Sequence, residues 1–348
     1  MSQTDDRGTP VPSAAAAASP GEPRTGARGS RLPLPRSLPG WVSWENFGLP
    51  AMTFLVGFVF WYLTPDFLTI SNFTNVARQV SVLALVAAGA TLVILSAGID
   101  LSVGSVLALV SVFAAKGMES HGVVGYISYG LAVGIFAGLV NGLLIGWLKI
   151  AAFIVTLGML SVARGIALST TNGVPIFGLP DSWIYEIGNG YVFGIPAPVL
   201  FAVAGFGATW VLLNRTRFGT YIYAIGGNEA TAKLAGINVA RVKVLIYTWA
   251  GFLTAVGGLV LTARVKSGQP LLGSGLELQA IAAVVIGGVS LFGGRGRLSG
   301  TIWGVILIGI LSNGLNLVGV STFIQQIVIG VVIVTAVGAT MAARREAE

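Results

Sequence analysis

The residues that could carry out chemistry are few, since the 348-residue chain holds one His, 13 Asp and Glu residues and no Cys. His121 lies beside Glu119 without a second histidine, which is not the spacing of a metal site. Covalent catalysis needs a nucleophile with a neighbouring base, and one histidine without cysteine offers neither. The P-loop pattern G-x-x-x-x-G-K-[ST] does not occur, and we interpret residues 293–301 as a tight basic turn. We therefore expect no catalytic, cofactor-binding or metal-binding residues.

Polar side chains beside or within apolar runs are the candidates for contact with a transported solute. They are Asp100, Ser102, Asn141, Gln269, Glu277 and Asn313. An acid next to long apolar runs is costly in a membrane unless it is hydrogen-bonded or lines water. Ser102 could cap a helix that follows it, and Asn and Gln inside helical bundles often bond only to neighbouring helices. A structural role and a place on a solute pathway both remain open for these residues.

The composition predicts the environment in which these residues must be positioned. Hydrophobic residues make up 54% of the chain and charged residues 9%, and the mean hydropathy is +0.84. A soluble domain carries about 25% charged residues, so this chain is not an ordinary soluble enzyme. Its 49 glycines suit closely packed membrane helices, where small residues let backbones approach each other. The predicted fold class is an all-α polytopic membrane protein.

About ten apolar segments are long enough to be membrane spans, each needing about 20 residues. We place them at 48–65, 77–97, 101–117, 123–147, 152–171, 197–213, 243–263, 277–293, 299–318 and 322–342. The third and eighth are short and interrupted by glycine, which predicts broken helices near 98–105 and 277–294. Together the spans form a membrane domain over 48–342.

The positions of the basic residues predict the topology. Most of the 20 Lys and Arg residues fall on one side of a ten-span arrangement that has both termini in the cytoplasm, as the positive-inside rule requires. Residues 1–40, rich in Pro, Ala, Gly and Ser, are predicted to be a disordered cytoplasmic tail. The basic residues that give the chain a pI of 9.9 therefore mark the cytoplasmic side of its predicted topology, and we expect no nucleic-acid partner. The chain is therefore predicted to be a multi-pass membrane protein.

A weak internal repeat links two of the spans. The sequence GLVNGL at 138–143 resembles ILSNGL at 310–315, and these spans run in opposite directions in the predicted topology. Such a pair is typical of inverted-repeat halves, here 77–171 and 243–342. A chance recurrence of Asn-Gly in a glycine-rich chain is the alternative.

The loop 214–243 lies on the cytoplasmic side and contains a short predicted helix. Asn228 is suited to cap this helix and Gly236 to end it. An Ala-rich helix between spans is poorly suited to catalysis, but it is a rigid projection that can bind in a groove of another protein. The residues assigned to this docking role are Gly227, Asn228, Glu229, Ala230, Lys233, Leu234 and Gly236.

Several of these segments together resemble one family of transport proteins. GIDLSVGS, YIYAIGGNEATAKLAGINV, ARVKSGQPLLGSGLELQAIAAVVIGGVSLFGGRGRLSGT and SNGLNLVGVS are similar to the permease subunits of ribose-type sugar ABC importers, which include ribose, xylose and arabinose systems. The likeness runs from about residue 48 to 342. It implies a binding-protein-dependent permease that moves a monosaccharide by alternating access.

The same resemblance implies the partners of the chain. These are a cytoplasmic ABC ATPase docked on residues 227–236, an extracellular or periplasmic sugar-binding protein, and a second permease subunit that is a copy or a close homologue. ATP hydrolysis is thus expected on another chain. A related permease for inositol or an autoinducer-type signal is one alternative. An ion-coupled secondary transporter is another, which the scarcity of acids within the spans disfavours.

Overall fold

The computed structural model describes residues 48–345. In that range the chain forms α-helices and one two-stranded hairpin. In chain order the helices are α1 (Leu49–Leu63), α2 (Ile70–Leu95), α3 (Val103–Gly146), α4 (Ala152–Thr171), α5 (Glu186–Asn189), α6 (Ala197–Arg215), α7 (Arg217–Gly227), α8 (Glu229–Leu234), α9 (Val239–Val265), α10 (Leu276–Ile286), α11 (Leu298–Leu317) and α12 (Thr322–Arg345). The short strands β1 (Tyr191–Val192) and β2 (Ile195–Pro196) pair antiparallel. The helices confirm the predicted all-α class. The predicted tail, residues 1–40, lies outside the described residues.

Within residues 48–345, six helices are long and apolar enough to cross a membrane, namely α2, α3, α4, α6, α9 and α11. Helix α3 is 44 residues long, more than twice what a bilayer needs, and it contains a kink. At the kink His121 and Gly122 leave helical geometry, and Gly122 has φ of +59°. Glycine tolerates this left-handed conformation because it has no β-carbon. Shorter apolar helical segments are Leu49–Leu63 (α1), Leu276–Ile286 (α10) and Thr322–Val332, which is the first part of α12.

A row of glycines holds the second part of α3 against α9. Every fourth residue of α3 from 130 to 146 is glycine, so these residues share one face of the helix. A β-carbon at Gly138 would collide with the Tyr247 backbone, and one at Gly142 would lie 2.7 Å from the Val244 α-carbon. On the opposite side, Gly251 packs in the same way on Gly138. The two backbones are in direct contact, which is the small-residue packing that the glycine content predicted.

Two interruptions of the helical backbone meet inside this bundle. The chain is not helical from 96 to 102, between α2 and α3, nor from 266 to 275, between α9 and α10. A side chain on Gly104, in the first turn of α3, would collide with the Gly273 carbonyl and with the Glu277 carboxylate. The N-terminal ends of α3 and α10 therefore lie against each other. Helix α10 has only 11 residues and ends at Ile286, seven residues earlier than the predicted span.

Candidate functional site

The predicted docking helix forms as α8, and its two ends are fixed by the local sequence. The Asn228 side chain accepts a hydrogen bond from the Thr231 amide at 2.9 Å, which caps the N-terminus. Gly236 has φ of +84°, and the amides of Gly236 and Ile237 donate to the Lys233 and Ala232 carbonyls. This pair of bonds is a Schellman motif, which ends a helix at a left-handed glycine.

Helix α8 exposes almost its whole surface. Only Ala232 is buried, and every residue assigned to docking is exposed, from Gly227 to Ala230 and at Lys233, Leu234 and Gly236. The Leu234 side chain is 90% exposed, although it is apolar and stands on a helix of only six residues. Leu234 thus places a large apolar side chain on the surface of a short helix with fixed ends, where a partner protein could bury it.

An ion pair connects α8 to the membrane bundle. Lys243 Nζ lies 2.6 Å from Glu229 Oε2, and Lys243 is one helical turn before Tyr247 on α9. The Tyr247 hydroxyl is buried and has no hydrogen-bond partner among the described residues, and it packs against Gly98 in the first interruption. Glu229, Lys243, Tyr247 and Gly98 line one cavity of about 350 Å³. The ion pair of α8 and the segment that precedes Asp100 therefore border the same cavity.

Asp100, Ser102 and Asn141 form one buried cluster. Asp100 Oδ1 accepts hydrogen bonds from the Ser102 amide at 2.9 Å and from its hydroxyl at 2.6 Å. Asn141 Nδ2 donates to the same hydroxyl oxygen at 3.0 Å, while Asn141 Oδ1 finds no hydrogen-bond donor in the part of the chain that the structure describes. Asp100 is 6% exposed and Asn141 1%. Ser102 occupies the N-cap position of α3, but its side chain does not cap the helix because it bonds to Asp100 instead.

The other three proposed pathway residues lie outside this cluster. Asn313 forms a reciprocal pair of hydrogen bonds with Asn72, at 2.8 and 3.0 Å, so its amide is occupied by a neighbouring helix. Gln269 donates from Nε2 to the Ser267 hydroxyl at 2.9 Å. Glu277 accepts a hydrogen bond from the Gly275 amide, and its second oxygen, which faces Gly104, has no hydrogen-bond partner within residues 48–345. Of these three, Glu277 alone adjoins the meeting point of the interruptions.

A second cavity, of about 340 Å³, lies among α2, α9, α10 and α11 and was not foreseen from the sequence. Its polar lining residues are Gln79, Arg264, Ser274, Gln279 and Ser312. Within the described residues, the side chains of Gln79, Gln279 and Ser312 make no hydrogen bond, and Ser312 Oγ is buried. The sequence feature that could have indicated this cavity is a glutamine inside an apolar span, which occurs at Gln79 and at Gln279. The predicted topology would place this cavity on the outer side of the membrane, and we call it the outer cavity. Gln79, Gln279 and Ser312 give it donors and acceptors that a hydroxyl-rich molecule could use.

Known proteins match this chain over most of its length. A family model described as "Branched-chain amino acid transport system / permease component" matches residues 72–337. The "Ribose import permease protein RbsC" of Bacillus subtilis (strain 168) is 51% identical over 278 residues, which is 79% of this chain and 86% of that protein. The protein of the same name from Escherichia coli (strain K12) is 45% identical over 84% of this chain and 92% of its own length. The "L-arabinose transport system permease protein AraH" of Escherichia coli (strain K12) is 36% identical over 84% of this chain and 90% of that protein. No solved structure matches the chain significantly.

Proposed function

The chain belongs to the family of branched-chain amino acid transport system permease components, and from this premise we propose that it is the membrane subunit of an ATP-driven importer for a ribose-type sugar. The observation that carries the proposal is the 51% identity to a ribose import permease over 278 residues. Identity falls to 36% for the arabinose permease, so ribose is favoured within the sugar class. A non-sugar solute such as inositol or an autoinducer-type signal, and an ion-coupled mechanism, are not favoured by these relatives.

The proposed topology has ten crossings with both termini in the cytoplasm of a bacterial inner membrane. The kink at His121 and Gly122 divides α3 into two crossings. With the other five long helices and the three shorter apolar helices, this gives ten. Short helices such as α10 can serve because irregular backbone at membrane depth is tolerated where it packs against protein, as Gly273 packs against Gly104. The basic loops then face inward, as in the predicted arrangement.

Three partners complete the proposed importer. A cytoplasmic ABC ATPase grips α8, with Leu234 as the apolar anchor and Glu229 and Lys233 around it. A sugar-binding protein docks on the outer face, and a second permease subunit, a copy or a close homologue, provides the other wall of the pathway. The chain itself contributes transport and not hydrolysis.

The proposed mechanism is alternating access with its input at α8. ATP-driven closure of the ATPase moves α8, and the Glu229–Lys243 ion pair carries the displacement to Tyr247 and Gly98. Gly98 leads to the Asp100 cluster, and the first turn of α3, which follows that cluster, packs at Gly104 against Gly273 in the second interruption. In this scheme the outer cavity receives the sugar hydroxyls, and the cavity lined by Lys243 and Tyr247 is the inner exit.

The function is tested by transport into proteoliposomes that contain the full chain with its ATPase and binding protein. Uptake of radiolabelled ribose should require ATP and should not occur when ATP is replaced by an imposed H⁺ or Na⁺ gradient. Leucine serves as the comparison substrate because of the family's description. Ribose uptake driven by an ion gradient alone, or uptake of leucine in place of ribose, would refute the assignment.

The outer cavity yields a prediction about Gln279. Replacement by leucine removes an amide that has no protein partner, so Gln279→Leu should leave the amount of folded protein unchanged. A hydrogen bond is worth about 0.5–1.5 kcal/mol, so loss of one to the sugar in transit should lower the maximal uptake rate about 2–10-fold at saturating binding protein. Gln326→Leu, an exposed glutamine on α12, is the matched control. Equal rates for both variants would remove the outer cavity from the pathway.

A further inference from the structure

A third cavity, of about 580 Å³, opens where α6, α7 and the start of α11 come together. Arg295, Arg297, Trp210, Tyr223 and Ser299 are among its lining residues, and none of the described lining residues is acidic. Both arginine side chains are exposed and form no ion pair with a described residue. The sugar pathway and the docking helix proposed above do not use this cavity.

Hydrogen bonds to its backbone groups hold the turn that carries the two arginines. The Gly294 amide donates to the Leu95 carbonyl, and the Ser290 amide donates to the Arg295 carbonyl, both at 2.9 Å. The Tyr223 hydroxyl donates to the Gly296 carbonyl at 2.9 Å. Burial raises the pKa of Tyr223, and the charge of Arg297 opposes that rise. The guanidinium groups thus extend from a fixed frame, which lowers the entropic cost of holding an anion.

The N-terminus of α11 adds to the positive potential of this cavity. The helix begins at Leu298, runs for 20 residues, and has no side-chain cap at its N-terminal end. Its first amides therefore have no capping side chain, and the helix dipole places partial positive charge there. Two arginines beside such an end make a phosphate-binding arrangement.

The cavity lies at the level of the membrane surface. Helix α6 ends at Arg215, and its exposed side chains at Leu200, Val203 and Val211 are apolar. Trp210, in the last two turns of α6, is 45% exposed, and the Arg215 guanidinium lies 5.3 Å from the centre of the Trp210 ring. Tryptophan and arginine at the end of a span mark the depth of lipid headgroups. A phospholipid whose phosphate lies in this cavity would thus place its acyl chains beside the apolar face of α6.

We propose that the cavity formed by Arg295, Arg297, Trp210 and the N-terminus of α11 binds the phosphate of an anionic phospholipid headgroup. The two arginines attract the net negative charge, and the helix end and Ser299 contact the phosphate oxygens. The indole of Trp210 lies at the boundary between headgroup and acyl chain. Basic pockets between spans on the cytoplasmic side are suited to such headgroups.

The test is native mass spectrometry of the purified full chain, titrated with phosphatidylglycerol or with phosphatidylcholine of the same acyl chains. Phosphatidylglycerol should be retained preferentially, and R295Q/R297Q should reduce its retention roughly tenfold, since each basic residue near a surface contributes substantially to anionic lipid binding. R295K/R297K, which keeps both charges, should retain most of the binding. The control R241Q/K149Q removes two exposed cytoplasmic charges elsewhere and should bind as the unchanged chain does.

Each alternative gives a distinct result that would overturn the proposal. Equal losses in both double glutamine variants would indicate only general surface charge. Retention of inorganic phosphate with equal preference for both lipids would indicate a free-anion site. Loss of bound phosphatidylglycerol when the ATPase subunit is added would assign the surface to that protein.

Discussion

Replacing Leu234 by arginine is expected to reduce sugar uptake by at least about tenfold while leaving the protein inserted and folded. Leu234 is 90% exposed on α8, so the substitution removes no packing within the chain, and surface changes of this kind alter stability by about 0.5 kcal/mol or less. The apolar centre of a docking interface contributes about 2 kcal/mol or more, and an arginine there would also be desolvated without a partner. Uptake in proteoliposomes and co-purification of the ATPase subunit measure the two effects together.

Leu148→Arg provides the matched control. Leu148 is also an exposed leucine, and it follows the end of α3 close to Lys149, outside the docking loop. The same chemical change there should leave both uptake and ATPase binding near the level of the unchanged chain. Normal uptake with Leu234→Arg would mean that α8 is not the docking element. It would not bear on ribose transport itself, because the ATP requirement of uptake tests that function separately.

Replacing Gly138 by leucine is expected to destroy the α3–α9 contact and with it most of the folded protein. Any side chain at Gly138 meets the Tyr247 carbonyl and the Gly251 α-carbon, which belong to the α9 backbone. Overpacking commonly costs about 1–3 kcal/mol, and the cost is at the upper end here because a helix backbone cannot rotate out of the way as a side chain can. The yield of monodisperse protein and its melting temperature in detergent measure the loss.

The same substitution should be tolerated at Gly207. Gly207 is exposed on α6, and a β-carbon there would meet no other atom within 4 Å. Because Gly207→Leu adds the same apolar bulk to a membrane helix, it separates steric collision from a general intolerance of leucine. Equal melting temperatures for the two variants would show that the α3–α9 contact does not depend on backbone approach.

Much of the docking loop could be predicted from the sequence because its geometry is local. A side chain of Asn caps the amide three residues ahead, and a glycine ends the helix in a left-handed conformation, whatever lies around them. Asn228 and Gly236 therefore sit where they were expected in α8. The partner of Glu229 could not be predicted in the same way, because Lys243 is 14 residues away and is brought close by the return of the chain into α9.

The pathway residues illustrate the opposite case. Asn141 and Asn313 share the same local motif, yet Asn141 bonds to Ser102 and Asn313 pairs with Asn72. From the sequence Ser102 was a candidate to cap α3, but its hydroxyl bonds to Asp100 and leaves α3 without a side-chain cap. The outer cavity was missed because Gln79, Gln279 and Ser312 belong to three different helices.

The sequence by itself determined the apolar character that suits this protein to a membrane, its helical class and the ends of α8. Composition and short-range hydrogen bonding set these properties, and both can be evaluated along the chain. Only the tertiary structure decided which polar groups are paired and which remain free, where the two helix interruptions meet, and where Arg295 and Arg297 adjoin Trp210. These properties depend on contacts between helices far apart in sequence, and in a glycine-rich bundle such contacts are set by how closely the backbones can approach.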